Sequence, residues 1–160
     1  MKNATIMGLL LAVIGLTSCK NDASKKAEEA TKAAIETPVS TECYKAIYEQ
    51  DTLNLKINTL KEGKITGDLE MRIENMPTKL GQIVGEFRGD TLFASYTFIQ
   101  GSNEKKTFKN PMAFLKSGDE LILGNGKIEF SLGASYFAKG EPIDFENVKY
   151  KFTTTECIEK

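Results

Sequence analysis

The 160-residue chain contains no histidine and no tryptophan, and only three cysteines and four prolines. Without histidine it lacks the usual general base near pH 7, histidine-based triads and the commonest metal ligand. No phosphate-cradling glycine loop, GxSxG elbow or calcium-loop spacing is present either. Charge of one sign is also missing, since 21 basic residues face 22 acidic ones along the chain. That balance gives no electrostatic basis for binding nucleic acid. Long apolar runs are absent too. The longest, residues 6–16, is too short for a membrane-spanning helix, which needs about 20 residues. Nothing in the composition calls for a cofactor or a metal.

The catalytic option left is a carboxylate pair of the kind glycosidases use. Asp68, Glu70 and Glu74 alternate with Leu69, Met71 and Ile73, so they share one face of an extended segment. Arg72 sits among them on that same polar face. A solvated charged stripe is the simpler reading, and the chain is expected not to be an enzyme.

What is present begins with Lys2, the apolar run 6–16, and then Leu16-Thr17-Ser18-Cys19. A short positive segment, an apolar segment and small residues before a cysteine form a secretory signal. The tetrapeptide resembles a lipobox, the processing site of bacterial lipoproteins. The resemblance implies that residues 1–18 are removed and that Cys19 becomes a lipidated first residue. One acyl chain holds a protein only marginally to a bilayer, whereas the several chains of such lipoproteins make a lasting membrane anchor. It further implies the outer membrane of a bacterial cell, facing periplasm or cell surface. Lys20-Asn21-Asp22 resembles the short tags that send some lipoproteins to the surface.

Residues 19–41 then form the lipidated cysteine and a spacer. The stretch Lys25-Lys26-Ala27-Glu28-Glu29-Ala30 has no apolar face to pack. As flexible coil the spacer would average roughly 25 Å end to end. With Cys19 assigned to lipid, Cys43 and Cys157 are left as an even pair in an oxidising compartment. We expect them to form a disulfide near the two ends of a domain spanning 42–160. The alternative is two free buried thiols.

From Glu42 onward the hydrophobic period is two. Leu53, Leu55 and Ile57 alternate with Asn54, Lys56 and Asn58, and Val148, Tyr150 and Phe152 alternate with Asn147, Lys149 and Lys151. Such alternation predicts strands with one buried face and one wet face. Turn signals such as Glu62-Gly63, Gly89-Asp90 and Gly118-Asp119 separate them. About eight strands follow: 42–49, 52–60, 64–74, 82–88, 91–99, 107–116, 119–130 (bent at Gly124) and 147–156. The clearest hairpin turns at Gly89-Asp90, where glycine suits a type II′ turn. Residues 131–146 carry Tyr136, Phe137 and Phe145 and read as a long loop or one short extra strand.

The predicted fold is all-β, a small up-and-down antiparallel barrel, with a two-sheet sandwich as the alternative. In outline it is similar to lipocalin-like barrels and to small lipoprotein barrels that inhibit lysozyme, although the lipocalin tryptophan is missing. Barrels of eight strands either fill with side chains or hold one small ligand. Phe87, Phe93, Tyr96, Phe98 and Phe114 are the candidate lining of a ligand cavity; Phe108 and Phe130 add further aromatic volume. The expected partners are the membrane, through Cys19, and a small apolar ligand or an envelope protein. Asp51-Thr52-Leu53 and Asp90-Thr91-Leu92 resemble a bacterial O-glycosylation acceptor, which makes Thr52 and Thr91 candidate sites. The same sequences also suit a turn entering a strand.

Overall fold

The computed structural model describes residues 37–157. The signal segment, the lipobox with Cys19 and most of the spacer lie outside the described residues.

Twelve strands follow in chain order: β1 (Ser40–Tyr48), β2 (Asp51–Thr59), β3 (Lys64–Arg72), β4 (Lys79–Arg88), β5 (Thr91–Gln100), β6 (Thr107–Ser117), β7 (Glu120–Leu123), β8 (Asn125–Gly126), β9 (Ile128–Ser131), β10 (Ala134–Phe137), β11 (Ile143–Asp144) and β12 (Lys151–Thr155). Strands β1 to β7 and β12 form a closed antiparallel meander in the order β1-β12-β7-β6-β5-β4-β3-β2. The expected eight-stranded barrel is therefore the fold, and the sandwich is not.

Register follows the alternation read from the sequence. Leu53, Leu55 and Ile57 of β2 oppose Met71, Leu69 and Gly67 of β3, and all six are buried. Residues directly opposite each other share a face, so each apolar set is held inside as a block. The core runs from Tyr44 and Ala46 through Leu53, Ile65, Ile83 and Leu92 to Phe114, Leu121 and Phe152. The outer face carries Asn54, Lys56, Asp68 and Arg72, all exposed. A barrel that crosses a membrane shows the reverse, an apolar band outside.

Closure depends on how tightly β3, β4 and β5 coil. Gly81 and Gly85 of β4 lie on the inner face. A Cβ at Gly81 would meet the Thr97 carbonyl oxygen and come within 2.5 Å of the Phe98 Cα. Only a residue without a side chain allows that approach. The Gly89-Asp90 turn joins Arg88 directly to Thr91, with Gly89 at φ +61°. Because Asp90 keeps a negative φ, this is the expected type II′ geometry.

Most strands lie within two residues of the expected bounds, and three differ by more. Strand β4 starts at Lys79 rather than 82, because Lys79 and Leu80 pair with Gln100 and Ile99. The last strand is shorter, β12 covering Lys151–Thr155. The expected bent strand 119–130 is not one element. The chain leaves the barrel after Leu123, where the Phe145 ring and Ile143 fill the space that a side chain at Gly124 would need. Residues 124–150 then make an excursion with two small ribbons, β9–β10 and β8–β11. Asp144 organises its return by accepting hydrogen bonds from the Glu146 and Asn147 amides at 2.7 and 3.1 Å. The bonds from Asn147, through its amide and its side chain, and then that from Glu146 hold its carboxyl below the usual carboxylate range.

The Cys43–Cys157 disulfide is present. Cys43 lies in β1 opposite Thr155 of β12, so the bridge fastens the seam where the barrel closes.

Candidate functional site

The barrel has two unlike ends. At one are the start of β1, the end of β12, the disulfide and the turns at 60–63, 89–90 and 118–119. At the other are the turns at 49–50, 73–78 and 101–106 and the excursion 124–150. A cavity of about 330 Å³ lies at this second end, within the size range of small-molecule sites.

Its position follows from strand lengths. Strand β7 has only four residues, so its ladder with β6 reaches no further than Phe114 opposite Leu123. The half of β6 nearer the mouth has no barrel strand on that side. The excursion bridges this gap through Gly124 N–H to Ala113 O at 2.9 Å, beside Leu123 N–H to Tyr150 O at 3.0 Å. The cavity is what the bridge leaves open. Tyr96, Phe98, Met71 and Met112 border it from inside the barrel, and Ile128 and Phe137 from the excursion.

The inner wall is a row of rings. Tyr96 and Phe98 stack at 4.7 Å, and Phe98 and Phe108 at 5.4 Å. Tyr96 donates its hydroxyl to the Leu69 carbonyl at 2.9 Å, and burial pushes its phenol up, so it stays a donor at any ordinary pH. Beside the cavity, Asp51 accepts the Tyr150 hydroxyl at 2.7 Å and the Glu74 amide at 2.8 Å. It thereby ties the β1–β2 turn to the β3–β4 turn and to the end of the excursion. Asp51 is the buried charged side chain among the described residues, and it is fully engaged.

The hydrogen bond from Tyr150, followed by that from Glu74, holds the Asp51 carboxyl below its ordinary value of 3.8. A depressed folded-state value means stability that is complete above the unfolded value and is lost as pH falls through the folded one. We therefore expect wild type to exceed Asp51→Asn in urea midpoint at pH 7. That margin should shrink as the pH falls below 3.8. A margin that stays constant from pH 7 to pH 2 would show that the carboxylate charge plays no part in the clamp.

The five aromatic residues proposed from sequence as cavity lining do not form one set. Tyr96 and Phe98 line the cavity. Phe114 is an inner-face residue, but it lies deeper, wholly buried and edge-on to Phe152 at 5.8 Å. Phe87 is on the inner face at the opposite end, opposite Leu92 and partly exposed. Phe93 is out of phase with the buried Leu92, Ala94 and Tyr96, so it points outward with the Arg88 guanidinium 5.4 Å over its ring. Phe130 is 75% exposed on the β9–β10 ribbon. The cavity is also smaller than a hollow barrel would give, because side chains fill the rest of the interior.

Sequence reading missed Lys79, Asn110, Lys149 and Tyr150, all of which border the cavity. For two of them the signal was phase. Lys79 falls in step with Gly81, Ile83 and Gly85, and Asn110 with Phe108, Met112 and Phe114, so both occupy inner-face positions.

Thr52 and Thr91 each begin an outer-face series and lie at opposite ends of the barrel, partly buried. Asp68 and Glu74 are exposed, and Glu70 is held by Arg72 at 2.8 Å and Asn54 at 3.0 Å on the outer face. None of these carboxylates lines the cavity. Among the described residues no cluster of three or more Cys, Asp or Glu could hold a metal ion.

Comparisons with protein-family models, curated proteins and solved structures return no match. The class is thus set by fold and site alone: a closed eight-stranded antiparallel barrel, largely filled, with a cavity at the end opposite the start of β1.

Proposed function

We propose that this is a membrane-anchored envelope lipoprotein that acts by binding and not by catalysis, holding a small apolar ligand in its mouth cavity. The cavity of about 330 Å³ beside stacked aromatic rings carries the reading. The lipobox residues Leu16-Thr17-Ser18-Cys19 supply the anchor. β1 starts at the disulfide end, so the spacer joins the barrel there and the mouth lies at the other end. Such a layout suits a receptor presented to the periplasm or the cell exterior. Thr52 and Thr91, both on the outer face, remain candidates for glycosylation.

One observation favours a second reading, in which the protein works through its surface on another envelope protein. The β9–β10 ribbon exposes Phe130 and, at its tip, Leu132. Exposed apolar surface, where it is contiguous, marks interaction sites.

The deciding measurement is mass spectrometry of the full chain purified from a Gram-negative host. We expect an N-terminal peptide starting at acylated Cys19 and, under native conditions, a small molecule that leaves on unfolding. A chain that begins elsewhere removes the anchor. A bare barrel that also takes up no neutral apolar fluorophore removes the ligand site and shifts the function to the ribbon.

A further inference from the structure

We infer that the cavity is a site for a single-chain amphiphile with an anionic head, held at the mouth by Lys79 and Lys149. The inference rests on the ligand-binding reading above and names the class of ligand.

The first observation is an inner-face lysine. Position 79 is in phase with buried positions of β4, where the barrel otherwise places apolar residues or glycine. A lysine turned toward an apolar interior is costly unless its ammonium reaches water or an anion. The Lys79 ammonium lies 5.5 Å over the Phe98 ring, against the aromatic wall and at the mouth. It makes no ion pair among the described residues.

The second observation is the balance of charge. The residues lining the cavity include two lysines, Lys79 and Lys149, and no carboxylate. Lys149 lies 5.6 Å over the Tyr48 ring. The Asp51 carboxylate is close enough to Lys149 to interact with it, but Asp51 already accepts from Tyr150 and the Glu74 amide. The Asp51 carboxylate keeps its charge and offsets Lys149, so lining and Asp51 together leave one positive charge, that of Lys79, next to a low-dielectric wall, where an anion is attracted more strongly than in open water.

The third is the remaining polar group. Asn110 is on the inner face opposite Tyr96, half-buried, and its side chain makes no hydrogen bond among the described residues. It offers a neutral donor beside the two cations. An apolar body would pack on Phe98, Met71, Met112 and Phe137. Methionine at such a surface adapts to chains of different shape.

Core and ladders from Tyr44 to Phe152 close the barrel within the described residues, so a chain of residues 20–160 keeps the whole folded unit. On that protein a neutral fluorophore is first bound and then displaced by dodecanoate, dodecyl phosphate or dodecanol. We expect both anions to displace it about tenfold more tightly than the alcohol, and raised salt to narrow the gap. The double variant Lys79→Gln/Lys149→Gln should lose the preference for anions over dodecanol. Lys109→Gln, at an exposed outer-face position, should keep it. Equal affinity for anion and alcohol, or a preference that survives the double substitution, overturns the inference and leaves the ligand site standing. Failure of the fluorophore itself to bind overturns both.

Discussion

Replacing Cys43 and Cys157 together by serine is expected to destabilise the barrel by about 4–5 kcal/mol, the loop-entropy value for a closed loop of this size. The bridge spans 114 residues of sequence, so nearly the whole folded chain lies inside the loop. Its position adds a structural reason. The closing seam is the weak part of the cylinder: β12 registers three residue pairs with β1 and three with β7, whereas β1 and β2 register nine. Without the bridge, β12 should open before β2 to β5, and the Lys151–Thr155 amides should exchange fastest among the barrel strands. Urea unfolding of oxidised, reduced and doubly substituted protein measures the cost. Reduced and oxidised forms agreeing within about 1 kcal/mol would mean that packing alone closes the seam.

Where the physics was local, the sequence was enough. Alternation of Leu53, Leu55 and Ile57 against Asn54, Lys56 and Asn58 set one face of β2 inward, because a strand can bury only alternate residues when one side is wet. The two cysteines could be paired because they flank the domain and are the two left over once Cys19 is set aside with the lipobox-like segment. What could not be read was the excursion. The apolar run Leu121-Ile122-Leu123 after a Gly118-Asp119 turn reads as an ordinary strand, and nothing local shows that Phe145, more than twenty residues later, will lie on Gly124. The cavity exists because of that departure, so the part of its lining that the excursion supplies was unreadable as well. Lys79 shows the converse error. It was legible by phase, but a lysine beside Pro77-Thr78 looks like the end of a turn until its partner Gln100 is known. The aromatic residues were misjudged for a simpler reason, in that abundance was weighed before phase. Phe93 and Tyr96 are three apart in the same strand, and so on opposite faces.

That difference in phase sets the other large effect. Phe152→Ala should cost about 3–5 kcal/mol, the range for removing a buried aromatic and leaving a cavity, while Phe93→Ala should cost less than about 1 kcal/mol. Phe152 has no exposed surface, stands edge-on to Phe114 at 5.8 Å and is directly opposite Leu121 of β7. It is also the one buried residue in the five-residue β12. Truncating it takes away the strand's apolar anchor as well as its own contacts, which places the cost toward the upper end. Phe93 lies outside the barrel beneath Arg88, and its loss forfeits a partly exposed ring and a surface cation–π contact. Equilibrium urea unfolding of the two variants, same residue type and same substitution, isolates the contribution of the face. If both cost the same, the interior around Phe152 collapses onto the space it leaves. Combined with reduction of the disulfide, Phe152→Ala should cost more than the two changes measured separately. Both act on the attachment of β12, and neighbouring losses of that kind do not add independently.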